Sequence, residues 1–411
     1  MSGTTAPADR PRLVVVGIGA DGWAGVPPRV REVVLGASVV LGGGRHLAML
    51  PEVPGQRREP WPSPLRAGLP ALLASLGGAR PEAGAVVALA SGDPLVSGIG
   101  ATLVGLLGRD AVTILPAVSS VALARAALGW AAGSCAVVSL TAADPSLVLR
   151  ELAPGRRVLV LSADERTPAR VARLLDGAGY GASAMTVLGD LGGDRASRVS
   201  ATAATWRAAV PRLNVIALDL AGPRHGGWVA GLPDDAFEHD GQLTKRDLRA
   251  SALARLAPVP GEHLWDVGAG AGSVGIEWMR AHPACTATAV EADAGRAARI
   301  ARNAARLGVP GLRVVTGRAP SALAGLAAPD AVFVGGGATR DGVLEECLAA
   351  LRPGGRLVVH GVTLQTERVL ADAYARHGGE LTRVAVETAA PVGSFTGWTP
   401  ARTVTQWTLE R

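Results

Sequence analysis

The sequence is poor in aromatic and charged residues. Aromatic side chains make up 3% of the 411 residues and charged side chains 18%, whereas hydrophobic residues make up 48%. This composition excludes a disordered chain, because there is enough apolar material to bury full cores. Small aliphatic side chains must do most of the packing. That favours helices packed on parallel sheets, whose buried strands are runs of Val, Ile, Leu and Ala.

Cysteine is also scarce. Cys135, Cys285 and Cys347 form no CxxC pair and stand at no spacing from histidine that is typical of zinc. We interpret them as reduced core residues of a cytoplasmic protein, and we predict no metal site.

Long apolar segments are rare as well. Residues 1–11 lack the charged-then-apolar layout of a signal peptide. The uncharged stretch from Ala126 to Ala143 contains little leucine and would enter lipid weakly. It predicts the end of a buried helix followed by a strand at Cys135–Leu140, and we expect no membrane partner.

The charge balance is basic, with a formal net charge of +6 and a pI of about 10.1. No run of five or more Lys and Arg residues occurs. Such a surface is compatible with simple solvation, with a polycarboxylate substrate or with nucleic acid.

Short strands alternate with helical stretches along the whole chain, which predicts an α/β fold. Glycine and proline are concentrated in residues 221–233, as in a linker. We therefore predict a first domain at 10–220 and a second domain at 234–411. The two halves share a general pattern but no repeat that can be aligned.

The strongest motif lies in the second half, where Asp266-Val-Gly-Ala-Gly-Ala-Gly272 follows a strand and precedes a helix. Glu291 ends the next strand, where a carboxylate can accept both hydroxyls of a ribose. The GxGxxG pattern of dinucleotide sites fits only out of register, and Asp266 suits an amino group better than a pyrophosphate. The pattern favours S-adenosylmethionine over a dinucleotide, and an adenosine-cofactor site over a loop that only packs helix on strand.

The first half carries a weaker motif. Gly17-Ile-Gly-Ala-Asp-Gly22 follows a strand, but no acidic residue ends the second strand at Leu41. A Gly-Asp-Pro loop around Asp93 and a Pro-x-x-Ser-Ser loop ending at Ser120 also follow strands. Ligands bind at such strand ends in α/β folds, although Asp93 could simply start a turn.

These segments resemble known families. VVVGIGADG, SVVLGGGRHL, ASGDPLVSGIG and PAVSSVALA are similar to the tetrapyrrole methylases, which have the class III methyltransferase fold. LWDVGAGAGSVGIEWMR, AVEAD, GRAPSAL and PVGSFTGWTP resemble the corrin-pathway methyltransferases with a Rossmann-like, class I fold. The two in this order resemble the decarboxylating precorrin methyltransferases of cobalamin biosynthesis.

The resemblance implies S-adenosylmethionine-dependent methylation of carbons 5 and 15 of a corrin precursor, with loss of carbon dioxide from the ring C acetate. It implies one cofactor per domain and no metal. The first cofactor site would use Gly17, Gly19, Ala20, Asp93, Val96, Ser119 and Ser120. The second would use Thr244, Asp266, Gly268, Ala269, Gly270, Ala271, Gly272, Glu291 and Ala319.

The implied substrate carries many carboxylates, which arginine and lysine bind well. We interpret Arg340 and Lys245 as candidate carboxylate clamps at the catalytic site, with Arg45 and Arg246 as further candidates. Taken alone, each such residue is more often a surface charge. The resemblance also implies a homo-oligomer. The alternatives are a two-site RNA methyltransferase, for which aromatics interleaved with basic residues are lacking, and a non-catalytic S-adenosylmethionine sensor.

Overall fold

The computed structural model describes residues 13–76, 86–224 and 227–411. The chain divides into two compact units. The first ends at Ala143 and resumes with Gly155–Ala221, and the second comprises Asp144–Pro154 and Gly222–Arg411.

The first unit begins with a parallel five-stranded sheet in the order β3-β2-β4-β1-β5. The three central strands of this sheet, β2, β4 and β1, consist mainly of buried Val, Leu, Ile and Ala, since both faces of the sheet are covered by apolar clusters. The carboxyl ends of all five strands lie at one edge. The strands are β1 (Leu13–Ile18), β2 (Val39–Gly42), β3 (Arg57–Pro60), β4 (Val86–Ser91) and β5 (Val112–Leu115), with helices α1 (Pro28–Leu35), α2 (Gly44–Ala48), α3 (Leu65–Leu76) and α4 (Ile99–Leu107).

A second five-stranded sheet completes this unit, in the order β6-β7-β10-β8-β9. Only β6 and β7 are parallel; the other pairs are antiparallel. The alternation of strands and helices in the sequence did not indicate this mixed sheet. The elements are α5 (Ser120–Leu128), β6 (Cys135–Ser139), β7 (Arg157–Leu161), α6 (Thr167–Gly177), β8 (Ala184–Gly189), β9 (Ser197–Thr202) and β10 (Asn214–Asp219).

The second unit has a seven-stranded sheet in the order β13-β12-β11-β14-β15-β19-β16. Strands β11 to β15 are parallel, and β19 is antiparallel to both of its neighbours. The elements are α7 (Arg246–Leu256), β11 (His263–Val267), α8 (Ser273–Ala281), β12 (Thr286–Glu291), α9 (Ala294–Arg306), β13 (Arg313–Thr316), β14 (Ala331–Val334), α10 (Val343–Ala350), β15 (Arg356–Gly361), α11 (Leu364–His377), β16 (Glu380–Val384), β17 (Glu387–Val392), β18 (Phe395–Pro400) and β19 (Val404–Glu410).

The strand order of this sheet reverses at β11. The chain continues from β11 to β12 and β13 on one side, then crosses to β14 and β15 on the other. Ligands of open α/β sheets bind at such a switch point, outside the carboxyl ends of the strands. The sheet therefore places the loop after β11 at the position favoured for a ligand.

The α/β prediction is confirmed, and the uncharged stretch from Ala126 to Ala143 folds as the end of α5 followed by β6. No helix among the described residues is long and apolar enough to cross a membrane. All three cysteines are free; Cys285 and Cys347 are buried and Cys135 is partly buried.

One predicted helix start is wrong. The spacing of Thr244 and Asp247 predicts an N-cap at Thr244 in the manner of a capping box, but the N-cap of α7 is Lys245, and no side chain caps the helix. Thr244 contacts α7 through its backbone instead: its carbonyl oxygen accepts a hydrogen bond from the buried Arg249 guanidinium.

Candidate functional site

A cavity of about 480 Å³ lies at the carboxyl ends of the parallel strands of the first unit. This volume is within the range of small-molecule sites, roughly 300–1,000 Å³. The loops after β1 and β4 and the start of α5 line one part of it, and the ends of β7 and β8 line another. Six of the seven residues predicted for the first cofactor site line it: Gly19, Ala20, Asp93, Val96, Ser119 and Ser120.

Gly17, the seventh, lies behind the cavity wall. A Cβ atom there would be 2.1 Å from the Gly92 carbonyl oxygen and 2.6 Å from the Ala117 amide nitrogen. Both distances are far below any van der Waals contact, so only glycine fits. Gly17 thus lets the loops after β1, β4 and β5 approach one another closely.

Two polar side chains at this cavity hold the local backbone. The Asp93 carboxylate accepts the Leu95 amide, with 2.8 Å between Oδ1 and N. The Ser119 hydroxyl oxygen accepts the Ala122 amide at 3.1 Å, which makes Ser119 the N-cap of α5. The turn-forming role weighed for Asp93 is therefore present, at a residue that also lines the cavity.

In the second unit the glycine loop connects β11 to α8. Gly268, Gly270 and Gly272 all have positive φ, at 69°, 58° and 76°. A Cβ atom on Gly268 would lie 2.7 Å from the Gly336 carbonyl oxygen, and one on Gly272 would lie 2.7 Å from Ile300 Cγ2. Backbone conformation and space both require glycine here, while Ala269 and Ala271 occupy the intervening positions.

Neighbouring loops converge on this one. A Cβ atom on Gly270 would lie 2.7 Å from the Gln242 carbonyl oxygen, so the segment before α7 passes directly beside the loop. The Gly317 amide donates to the Glu291 carbonyl oxygen at 2.9 Å. The fold thereby gathers the segments containing the predicted residues at one edge of the sheet.

Glu291 is buried at the end of β12. Its Oε2 accepts the Gly270 amide at 2.8 Å, and its Oε1 accepts the Asp293 amide at 3.0 Å. The carboxylate is thus fixed against the glycine loop. An ionised carboxylate has about four acceptor positions, so these two bonds leave capacity for ligand hydroxyls.

Asp266 is fully buried beneath the same loop. Its Oδ2 accepts the Gly275 amide at 2.9 Å, while its Oδ1 has no hydrogen-bond partner among the described residues. Burial raises the pKa of Asp266 to about 7; the Gly275 hydrogen bond opposes this shift, and the charge of Glu291 adds to it. A buried acceptor lacking a partner is costly unless a ligand satisfies it, and an ammonium group would do so.

The remaining predicted residues lie around this edge. Ala319 is partly buried in the loop after β13, packed against the core. Lys245 is exposed, with its Nζ 3.6 Å from a carboxylate oxygen of Asp234. Arg340 is exposed after β14, where its amide donates to the Gly337 carbonyl at 3.0 Å. Among the described residues, Lys245 and Arg340 do not contact each other.

A buried ion pair that no sequence motif indicates organises this region. Arg249 is inaccessible to solvent, and its Nε donates to Glu277 Oε1 at 2.5 Å. Glu277 also accepts the amides of Gly231 and Leu232, at 2.6 and 3.0 Å. Gly231 and Leu232 lie at one end of the segment that passes beside the glycine loop, and Thr244 lies at the other. Because Arg249 also binds the Thr244 carbonyl oxygen, the ion pair links both ends of this segment to α7 and α8. Removing one partner of such a pair strands a buried charge.

Among the described residues, no group of three or more His, Cys, Asp or Glu is placed to hold a metal ion. The carboxylates at the glycine loop of the second unit are engaged by backbone amides instead.

Two family models match the chain. Residues 12–205 match the tetrapyrrole (corrin/porphyrin) methylases, and residues 235–411 match the precorrin methyltransferase domain. The predicted order, a tetrapyrrole methylase fold followed by a second methyltransferase domain, is confirmed.

A relative from Sinorhizobium sp, named precorrin-6Y C(5,15)-methyltransferase (decarboxylating), is 46% identical over 97% of this chain and 96% of its own length. Two shorter relatives come from Salmonella typhimurium. The cobalt-precorrin-7 C(5)-methyltransferase is 34% identical over 43% of this chain and 83% of its own length. The cobalt-precorrin-6B C(15)-methyltransferase (decarboxylating) is 36% identical over 33% of this chain and 70% of its own length.

Proposed function

The chain belongs to the family of precorrin-6Y C(5,15)-methyltransferases (decarboxylating), and from this we propose that it methylates carbons 5 and 15 of precorrin-6Y and releases the ring C acetate carboxyl as carbon dioxide. The chain is an S-adenosylmethionine-dependent methyltransferase of cobalamin biosynthesis. The observation that carries the proposal is the similarity to a relative of that activity over almost the full length of both chains. The same similarity supports the tetrapyrrole substrate and not the RNA alternative.

We assign carbon 5 to the first unit and carbon 15 with decarboxylation to the second. The support is that each activity also occurs in a separate relative that covers less than half of this chain. The matched tetrapyrrole methylase model ends at residue 205 and the precorrin methyltransferase model starts at 235. These limits support domains at 10–220 and 234–411 with a linker between them, whereas Asp144–Pro154, inside the first of these ranges, group with the second unit.

In the first unit we propose that Gly19, Ala20, Asp93, Val96, Ser119 and Ser120 hold the cofactor, with Gly17 shaping the loop behind them. The cavity fits a molecule of that size, and the tight packing at Gly17 brings backbone groups of three loops to its wall. S-adenosylmethionine supplies an activated methyl group, so the task of these residues is orientation. Fixing two reactants in line can lower a barrier by about 7–11 kcal/mol.

In the second unit we propose that Glu291 accepts the ribose hydroxyls and Asp266 accepts the amino group of the cofactor. The unpartnered Oδ1 of Asp266 and the fixed carboxylate of Glu291 support these roles. Gly268 to Gly272 present backbone groups, while Thr244 and Ala319 lie on adjoining segments. In decarboxylation, the electron pair of the broken bond passes into the conjugated macrocycle, and a proton replaces the lost carboxyl.

We further propose one cofactor per unit, no metal, and a cytoplasmic homo-oligomer without nucleic-acid or membrane partners. Lys245 and Arg340 are proposed as carboxylate clamps of the second unit; their exposed side chains at the ligand edge of the sheet support this role. Lys245 is the only lysine of the chain, so an amine reagent can modify no other side-chain amine.

The test is mass spectrometry of the product after incubation with S-adenosylmethionine and precorrin-6Y. The proposal predicts a gain of two methyl groups and a loss of one carbon dioxide. An unchanged substrate, with cofactor bound to the protein, would refute it. Transfer of methyl groups to RNA, added in place of precorrin-6Y, would favour the RNA alternative instead.

A further inference from the structure

A second cavity, of about 560 Å³, adjoins the first-unit cavity described above. The two share Arg45, His46 and Asp190 in their walls, as well as Gly43 and Leu213. The second cavity therefore opens beside the place proposed for the cofactor, where a substrate must stand to receive a methyl group.

The walls of this second cavity are strongly basic. Arg45, Arg195 and Arg212 line it, and Asp190 is the single carboxylate among its lining residues. The charge balance of the wall is thus positive. Arginine presents a planar fork of five donors that matches a carboxylate, and it keeps its charge at any physiological pH.

His46 holds one of these arginines in place. The Arg45 Nη2 lies 3.0 Å from the His46 Nε2. Because a guanidinium only donates, Nε2 must be the acceptor, and the ring proton must reside on Nδ1. His46 is buried, and burial together with the charge of Arg45 lowers its pKa to about 4. The ring is consequently neutral near pH 7, the form that this contact requires.

Asp190 faces the same arginine from the end of β8. It has a positive φ of 44°, in the left-handed region that non-glycine residues seldom adopt. Its amide donates to the Leu213 carbonyl at 2.9 Å, and its carbonyl accepts the Gly193 amide at 3.0 Å. A strained residue held by its neighbours at a cavity wall is typical of a functional site.

We propose that this second cavity binds peripheral carboxylates of the tetrapyrrole through Arg45, Arg195 and Arg212, and that His46 is a positioning residue that orients the Arg45 guanidinium. The inference rests on the proposed function, since it concerns the substrate of the first unit. One bond to His46 leaves the other donors of Arg45 for a substrate carboxylate.

The experiment measures the initial rates of both methylations against precorrin-6Y concentration, with carbon-13-labelled methyl groups to distinguish the two positions. Arg45→Gln and Arg212→Gln should each raise KM for carbon 5 methylation about tenfold, the usual effect of losing one charge-assisted hydrogen bond. The kcat of this step and the decarboxylating methylation at carbon 15 should stay close to the wild-type values.

His46→Leu should raise the same KM, whereas His46→Gln should restore most of it, because the amide oxygen of glutamine can accept from Arg45. Arg173→Ala is the matched control: Arg173 is an exposed arginine on α6 outside both cavities. A merely structural role of His46 would lower kcat and thermal stability in both variants.

The outcomes distinguish a failure of the proposed function from a failure of the carboxylate cavity. If the wild-type chain methylates neither carbon, the proposed function fails. If the wild type is active and the Arg45 and Arg212 variants keep a normal KM, the carboxylate cavity is wrong. If the arginine variants behave as expected but His46→Leu retains a normal KM, the positioning role of His46 is wrong.

Discussion

The two units build their glycine loops differently. In the first, Gly17 is required because backbone atoms of two other loops press against it, and β2 ends in Leu41-Gly42 without an acidic residue. In the second, glycines with positive φ turn the loop, and Asp266 and Glu291 are buried against it. On the proposed assignment, the first unit presents backbone groups, the hydroxyls of Ser119 and Ser120 and the carboxylate of Asp93, whereas the second places two buried carboxylates against its glycine loop.

If both units bind S-adenosylmethionine as proposed, one cofactor is accommodated by two different arrangements of strand-end loops. This difference also separates the two sites experimentally. Removing the carboxylate of Asp266 or Glu291 should impair only the second unit. Adding a side chain to a loop glycine should disable the unit that contains that glycine.

The largest effect should come from substituting a bulky side chain for a loop glycine. Gly17→Val and Gly268→Val each place carbon atoms where backbone atoms lie within 3 Å, so each should abolish methylation in its own unit. Mass spectrometry of the product should show carbon dioxide loss with Gly17→Val and none with Gly268→Val. Identical products from the two variants would mean that the units do not work as separate sites.

A smaller effect should follow Glu291→Gln. The neutral amide loses the charge-assisted bonds to ribose, each worth about 1.5–3 kcal/mol, so cofactor affinity of the second unit should fall about 10- to 100-fold. Calorimetry with S-adenosylhomocysteine measures this, and the first-unit affinity should not change. Asp219→Asn, at the end of β10, is the control, because the Asp219 carboxylate only pairs with Arg157 at the surface.

The smallest effect concerns pH. Without ligand the pKa of Asp266 is raised to about 7, and a bound ammonium would favour the ionised form. Binding therefore releases a proton below pH 7, and affinity of the second unit should rise about tenfold between about pH 6 and pH 8. Asp266→Asn should flatten this profile, and equal slopes in the variant and the wild type would exclude contact with the ammonium.

The same raised pKa has a consequence for stability. The unfolded chain ionises Asp266 near its ordinary value of 3.8 and the folded chain only near 7, so the folded state binds more protons between these values. Stability of the cofactor-free second unit should fall as pH rises through this window and then level off. Urea unfolding of Asp266→Asn should lack this contribution.

Buried strands were predictable from sequence. Short segments rich in Val, Leu and Ile that end at turn residues predict strands at Val112–Leu115, His263–Val267, Arg313–Thr316 and Ala331–Val334, and the structure has strands with these bounds. Each is an apolar run bounded by turn residues, as expected for strands of a parallel sheet. Two edge strands, β3 and β9, could not be predicted in this way, because their sequences RREP and SRVSAT are polar and a sheet edge does not need an apolar sequence.

The site was predictable where glycine and strand-end residues mark it, because backbone geometry restricts those positions to few residue types. Arg249, Glu277 and His46 could not be found in this way. Their roles depend on partners 28 residues apart in the chain for Arg249 and Glu277, or on the cavity that only the folded loops create. Polar residues within helices otherwise look like ordinary surface positions.

The central claim is that each unit holds its own cofactor, and calorimetric titration of the wild-type chain with S-adenosylhomocysteine tests it most directly. The titration should show two binding sites per chain, reduced to one in Gly17→Val and to one in Gly268→Val. A single site in the wild-type chain, lost entirely in one of these variants and unchanged in the other, would contradict it.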